Sequence, residues 1–401
     1  METIKGKCNI ANIYATIIDD VTKEQIKTLL NQKFTKDSNI AIMPDCHAGK
    51  GCVIGTTMTI KDTIVPNLVG VDIGCGMLTI NLGNIDINLP ELDNFIHNNI
   101  PCGLNVYDHE VESNIDITKL ICYEQLNNKK RLHSSIGTLG GGNHFIEIDI
   151  DDEGNKYLVI HSGSRNLGLQ VCEHYQNTAI KNEKLDFYND LKKDIETMKM
   201  NGFNLEIESY VKMKTNEFNK KHITSLAALK NKDYDDYLFD MDICQKFASE
   251  NRLAIAKKIL QFLNIDLNNL NYFETVHNYI NMNDMILRKG AISAYEGEIV
   301  LIPINMKDGS IIGKGKSNKE YNYSAPHGAG RILSRSKAFK ELSLDDFKKV
   351  MEGIYSTTIN QETLDESPFV YKNIDDILIN IKDTVDVIKI IKPIYNFKAA
   401  E

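Results

Sequence analysis

Three features of these 401 residues predict an α+β fold with one catalytic core of mixed sheets. Short apolar or β-branched runs, cut by Gly, Pro, Asn and Asp, fill roughly the first 165 residues, which is the texture of strands and turns. A charged block with apolar positions at helical spacing follows, over about 169–270. Strand-like runs then return, and histidines in glycine- or asparagine-rich settings lie on both sides of the block. That flanking makes the block a helical insertion inside a single domain, 1–401, rather than a domain of its own.

The strands expected first are Ile40-Ala41-Ile42-Met43, Met77-Leu78-Thr79-Ile80 and Tyr157-Leu158-Val159-Ile160. Within the charged block, Asp240 to Leu263 carries Met241, Cys244, Phe247, Ala248, Leu253, Ala254, Ala256, Ile259 and Leu260, the stripe of an amphipathic helix. After Tyr272 the clearest strand is Ile299-Val300-Leu301-Ile302-Pro303, and Asn373 to Ile391 reads as helix and then strand.

Hydrophobic residues at 42% and charged ones at 25% suit a soluble chain with a sizeable core. The first residues lack the apolar segment of a signal peptide, and no run reaches the ~18 apolar residues of a membrane helix. Eight scattered cysteines fit reduced thiols, so a cytoplasmic monomer with no membrane contact is the expectation. A net charge of −9 argues against a general nucleic-acid coat, although metal ions can supply positive charge locally.

The chemistry concentrates in a few segments. Asp72 and Cys75 sit three residues apart in a glycine-flanked turn. A thiolate binds borderline-soft metals and can bridge two of them, and a carboxylate adds oxygen ligation. A structural Cys beside a turn Asp is the competing reading, and the histidines weigh against it. His144 follows a triple glycine at a strand start with Glu147, and His161 ends an apolar run. Ser162-Gly163-Ser164-Arg165 then offers hydroxyls, N–H groups and a guanidinium for phosphate. His277 precedes Asn278. His327, among small residues and near Arg331, has room to attack a phosphoanhydride as a neutral imidazole. Asp45, Cys46 and His47 form a second cluster, read as a wall of the same site, with Asp45 holding a ligand or base and Lys50 near phosphate. Arg288 and Lys289, with Arg165, Arg331, Arg335 and Lys337, would line a track for a polyanion.

In this order the segments MPDCHAGKG, VGVDIGCG, LGGGNHFIEI, HSGSR, VHNYI, LRKGA and APHGAGRILSRSKA resemble the RtcB RNA ligases, from about residue 40 to the C-terminus. The resemblance implies two manganese ions held by Asp72, Cys75, His144, His161 and His277, with Cys75 bridging. It implies that His327 is guanylylated by GTP. It places guanylate contacts at Asn143, His144, Phe145, Ile146, Glu147, His277, Asn278, Pro303, Ile304, Asn305, Met306, Ser310, His327, Gly328, Ala329, Gly330 and Lys398. The implied reaction joins RNA carrying a 2′,3′-cyclic phosphate or 3′-phosphate to a 5′-hydroxyl end, in RNA repair or tRNA splicing. Whether an archease-like activator takes part is left open. Ile304-Asn305-Met306 stands where many members carry Gly-Ser-Met, so a hydroxyl contact to nucleotide would be lost or replaced by an amide. Two other classes compete: a two-metal phosphoesterase that opens cyclic phosphates without guanylylation, and a non-catalytic RNA-end-binding module.

Overall fold

The computed structural model describes residues 2–16, 18–49 and 51–399; Lys50, expected near phosphate, lies outside them. Two large sheets organise the chain. The first has seven strands, in the order Tyr272–Val276, Gly76–Gly83, Lys156–Ser162, Phe145–Ile150, Val385–Lys398, Gly309–Gly315 and Ile299–Asn305. Every neighbouring pair in it is antiparallel. Its two edges come back together, where the Leu301 N–H donates to Thr275 Oγ1 at 3.1 Å. Curling of this kind hides open edges and encloses an interior.

The second sheet has six strands, ordered Glu2–Lys5, Ile10–Ile13, Ile40–His47, Ile54–Thr59, Ile286–Lys289 and Asn278–Asn281. His277 is the single residue between strand Tyr272–Val276 of one sheet and strand Asn278–Asn281 of the other. The expected metal ligand therefore sits where the chain crosses between sheets.

The expected strands all form, and the expected helix runs Asn231–Phe262. It starts before Asp240 because Tyr237, Leu238 and Met241 extend the buried stripe. The strand-and-turn reading of the first 165 residues omitted the helices Asp20–Leu30 and Leu89–Asn99, each opened by a side-chain cap from Asp19 or Asn88. The block of helices Arg165–Met200, Ile207–Lys221 and Asn231–Phe262 is built into the core in part. Leu167, Val171, Met241, Cys244 and Phe247 share one apolar cluster with the six-stranded sheet. Ile255, Ala256 and Ile259 pack with Leu78, Ile146 and Ile160 of the seven-stranded sheet. Among the described residues no helix is long and apolar enough to cross a membrane.

Candidate active site

Asp72 and Cys75 lie in the turn that leads into strand Gly76–Gly83. The Cys75 Sγ stands 3.4 Å from His144 Nε2 and 3.3 Å from His161 Nε2. His144 Nε2 is also 3.0 Å from Asp72 Oδ2. Two trios of donor atoms result, Asp72–Cys75–His144 and Cys75–His161–His277, with the atoms of each within 4.8 Å of one another. Cys75 belongs to both trios.

The surroundings orient these donors. The Asn143 carbonyl lies 3.0 Å from His161 Nδ1, which assigns the proton to Nδ1 and turns the Nε2 lone pair toward Cys75. A Cβ on Gly163 would stand 2.1 Å from Asp72 Oδ1, so only glycine leaves room for that carboxylate. Burial, reinforced by neighbouring imidazoles, holds His161 and His277 well below the ordinary histidine range, which keeps them neutral. His277 Nδ1 is buried without a hydrogen-bond partner. Burial raises Asp72, but bonding to His144 and the charge of Arg165 outweigh it and hold the carboxyl at about 2. Burial and the Asp72 charge push the Cys75 thiol up. One thiol, three imidazoles and one carboxylate, compact and with His277 Nδ1 left unpartnered, are a donor set that fits divalent cations.

His327 follows strand Ser324–Pro326. Its Nδ1 lies 2.7 Å from the Oδ2 of fully buried Asp45, which also accepts the His327 backbone N–H at 3.1 Å. An ionised carboxylate can only accept, so Nδ1 carries the proton and Nε2 keeps its lone pair. The ring is 4.9 Å, centroid to centroid, from that of His277. Gly330, at φ +75°, lets the loop close over Asp45, because a Cβ there would lie 2.6 Å from the Asp45 carbonyl.

A cavity of about 300 Å³ opens beside this pair, lined by Asn143, Phe145, Glu147, Pro303 to Met306, His327 to Gly330 and Lys398. Glu366 forms an anionic hub in its wall. It accepts from Arg331 Nη1 at 2.9 Å and from the Tyr371 hydroxyl at 2.6 Å, and it pairs with Lys398 Nζ at 2.7 Å. Burial alone would raise this carboxyl, but Lys398 and Arg331 outweigh it and lower it. A second cavity, of about 650 Å³, reaches the cluster at Asp72, with Arg131 and Arg165 in its walls.

The family model for "tRNA-splicing ligase RtcB" matches residues 25–127 and 122–399. The RNA-splicing ligase RtcB of Escherichia coli K12 is 30% identical over 390 residues, covering 87% of each chain. The tRNA-splicing ligase RtcB of Aeropyrum pernix is 28% identical over 431 residues, covering 83% of this chain and 82% of its own. The chain belongs to the RtcB family. Its cluster of Cys75, His144, His161 and His277 is consistent with an RtcB-type active site.

Four residues expected to touch nucleotide in this RtcB chain, His144, Ile146, Asn278 and Ser310, do not line the His327 cavity. His144 is on the Asp72 side, with Nδ1 3.2 Å from Arg165 Nη1. Ile146 is fully buried in the opposite core, because strand alternation sends it away from Phe145 and Glu147. Asn278 braces loops: its amide donates to the Asp72 carbonyl and its Oδ1 accepts from Gly290 N–H. Ser310 is buried beside the lining residue Gly309, and its hydroxyl has no partner. Asn305 lines the cavity, but its side chain closes its own turn, accepting from Lys307 and Asp308 N–H and donating to Asp308.

The polyanion track also needs correction. Arg288 and Lys289 are buried. Arg288 donates to Ser324 Oγ, and Lys289 donates to the Asn67 carbonyl. Cys46 is core, with burial raising its thiol to about 12, whereas His47 lines the cavity.

The sequence reading does not single out Met77, Glu366 and Tyr371, which line the cavity, or Arg252, which donates to the Gly74 and Ser162 carbonyls. Arg252 carried a legible signal, since Asn251 and Arg252 occupy the apolar stripe between Ala248 and Ile255. Glu366 carried none.

Proposed function

We propose that this protein is a GTP- and manganese-dependent RNA ligase that joins 2′,3′-cyclic-phosphate or 3′-phosphate ends to 5′-hydroxyl ends through a His327–GMP intermediate. The observation that carries this reading is His327 itself. A buried carboxylate fixes its Nδ1 proton, and its other nitrogen is free beside both the cavity and the metal-type cluster. A two-metal phosphoesterase would use the same pair as a general base or acid, so a covalent His327–GMP adduct is what separates the two readings.

Manganese held by the Asp72–Cys75–His144 and Cys75–His161–His277 trios would neutralise phosphate charge and polarise phosphorus–oxygen bonds. The Nε2 lone pair of His327 attacks the α-phosphorus of GTP, a P–N bond forms, and the bond to the β-phosphate oxygen breaks with release of pyrophosphate. Asp45 balances the positive charge that the ring acquires. Glu147 and Lys398, which line the cavity, would serve the guanine edge.

A 3′-phosphate oxygen of the RNA then takes GMP from His327, restoring the imidazole. A cyclic phosphate is first opened by water. Finally the 5′-hydroxyl oxygen attacks the 3′-phosphorus and GMP leaves. Arg165 and Arg131, in the cavity on the Asp72 side, suit the RNA end, so nucleotide and RNA would approach through separate cavities. RNA repair or tRNA splicing in the cytoplasm is the setting this chemistry fits.

Incubation with manganese and α-labelled GTP, then a denaturing gel and acid treatment, tests the first step. Wild type should carry an acid-labile label that His327→Ala lacks. Absence of label from wild type with manganese bound would sink the reading.

A further inference from the structure

A cavity of about 1100 Å³ lies apart from the one beside His327. Its walls come from the end of helix Asp20–Leu30 and the turn after it, the stretch 58–63, and the stretch 220–231 that precedes and opens helix Asn231–Phe262. Seven lysines line it, against the carboxylates of Asp37, Asp62 and Glu183. All seven are exposed, and none of their ammonium groups pairs with a carboxylate among the described residues. Glu183, in contrast, is already engaged, 3.0 Å from His222 Nε2 and accepting the Ala228 N–H. A chain of net charge −9 thus keeps, among the described residues, a concave surface on which lysines outnumber carboxylates seven to three.

Two rulers place this groove away from the chemistry. Strand Ile40–His47 starts beside it and ends at the His327 cavity, a run of about 25 Å at strand rise. Helix Arg165–Met200 runs from the Asp72-side cavity to Glu183, about 27 Å along its axis.

We propose that this groove holds the phosphate backbone of the RNA body, well away from the ends being joined. The inference rests on RNA being the substrate. Lysines act as point charges that track phosphates without reading sequence, and Asn31, Gln32 and Asn231 add neutral donors among them. An acidic protein would meet the same charge. RNA is favoured because regularly spaced phosphates use unpaired ammonium groups over such a length.

The test compares wild type with K33E/K36E/K220E/K221E and, as a milder version, the same four positions changed to Gln. Binding of labelled RNA of about 10 and about 40 nucleotides is measured by anisotropy from 50 to 200 mM salt. Self-guanylylation is measured in parallel. Four lost phosphate contacts remove about 3 from the salt slope, so wild type should lose about 50-fold more affinity for the long RNA across that range than either variant. Short-RNA binding and guanylylation should be unchanged.

Equal long-RNA affinity and slope in wild type and variants would overturn the proposal and point to an acidic protein instead. Failure of wild type to guanylylate would strike the ligase reading alone, because the binding comparison still decides the groove.

Discussion

Arg252→Met tests whether one guanidinium holds the metal cluster together. Arg252 is fully buried on helix Asn231–Phe262. Its Nη1 donates to the Gly74 and Ser162 carbonyls, each at 2.8 Å, and its Nε donates to Glu274 Oε1 at 2.9 Å. Gly74 adjoins Cys75 and Ser162 adjoins His161, so one side chain ties together the backbones that carry two ligands.

Charge-assisted bonds contribute about 1.5–3 kcal/mol each, which makes about 9 kcal/mol a ceiling for three. Relaxation and recovered side-chain entropy lower this, and breaking a buried ion pair typically costs about 3–5 kcal/mol. Methionine fills much of the volume but leaves Glu274 and two carbonyls without their donor. The chain has no tryptophan, so urea unfolding is followed by far-UV circular dichroism. A loss of about 3–5 kcal/mol is expected, with metal affinity down about 10–100-fold, the usual effect of removing a support behind the ligands. Arg252→Lys should fall between, since one ammonium lacks the planar fork. An unchanged urea midpoint together with unchanged metal affinity would refute the role.

Three further outcomes are expected. Gly163→Ala puts a methyl group where Asp72 Oδ1 now stands, so metal analysis should find the Asp72–Cys75–His144 ion lost; full metal content at wild-type affinity would contradict this. Asp45→Asn should slow self-guanylylation about 10³-fold or more with metal content intact, by analogy with other carboxylate–imidazole pairs, and a loss below tenfold would count against it. Asp149 is fully buried with neither oxygen partnered, and burial followed by the Glu147 charge raises its carboxyl. A raised folded value means its stability contribution is complete below the unfolded value near 3.8 and is lost as pH rises through the folded one. Asp149→Asn should therefore stabilise the protein at pH 8 by about 1 kcal/mol or more, with the gain shrinking toward pH 4 in parallel melts. A gain independent of pH would show that the charge is not the cost.

The site residues were legible wherever local pattern places a side chain. The Asp72–Cys75 turn, His144 before a strand, His161 at a strand end and His327 among small residues all sit where their neighbours imply, and they converge. Ile146 could have been excluded on sequence alone, because a residue between two cavity-facing positions of a strand must face away. Arg252 was recoverable from its place on an apolar stripe. Asn305 reads equally well as a ligand contact or a turn-closing residue, and only its bonds to residues 307 and 308 separate the two.

What the sequence by itself determined is short-range: periodicity set the main strands and the long helix, glycines marked close approaches, and residue chemistry named the metal-type donors. Tertiary structure alone decided which charges are spent and which are free. Arg331 is tied to Glu366, Arg288 and Lys289 are buried on internal acceptors, and unpaired lysines collect in one groove. The Asp45–His327 bond spans 282 positions, and the two share no local pattern. The reason is physical. Periodicity acts through the backbone's own repeat, whereas the partner of a buried charge is whatever the folded chain brings within about 3 Å, and distance along the chain carries no information about that.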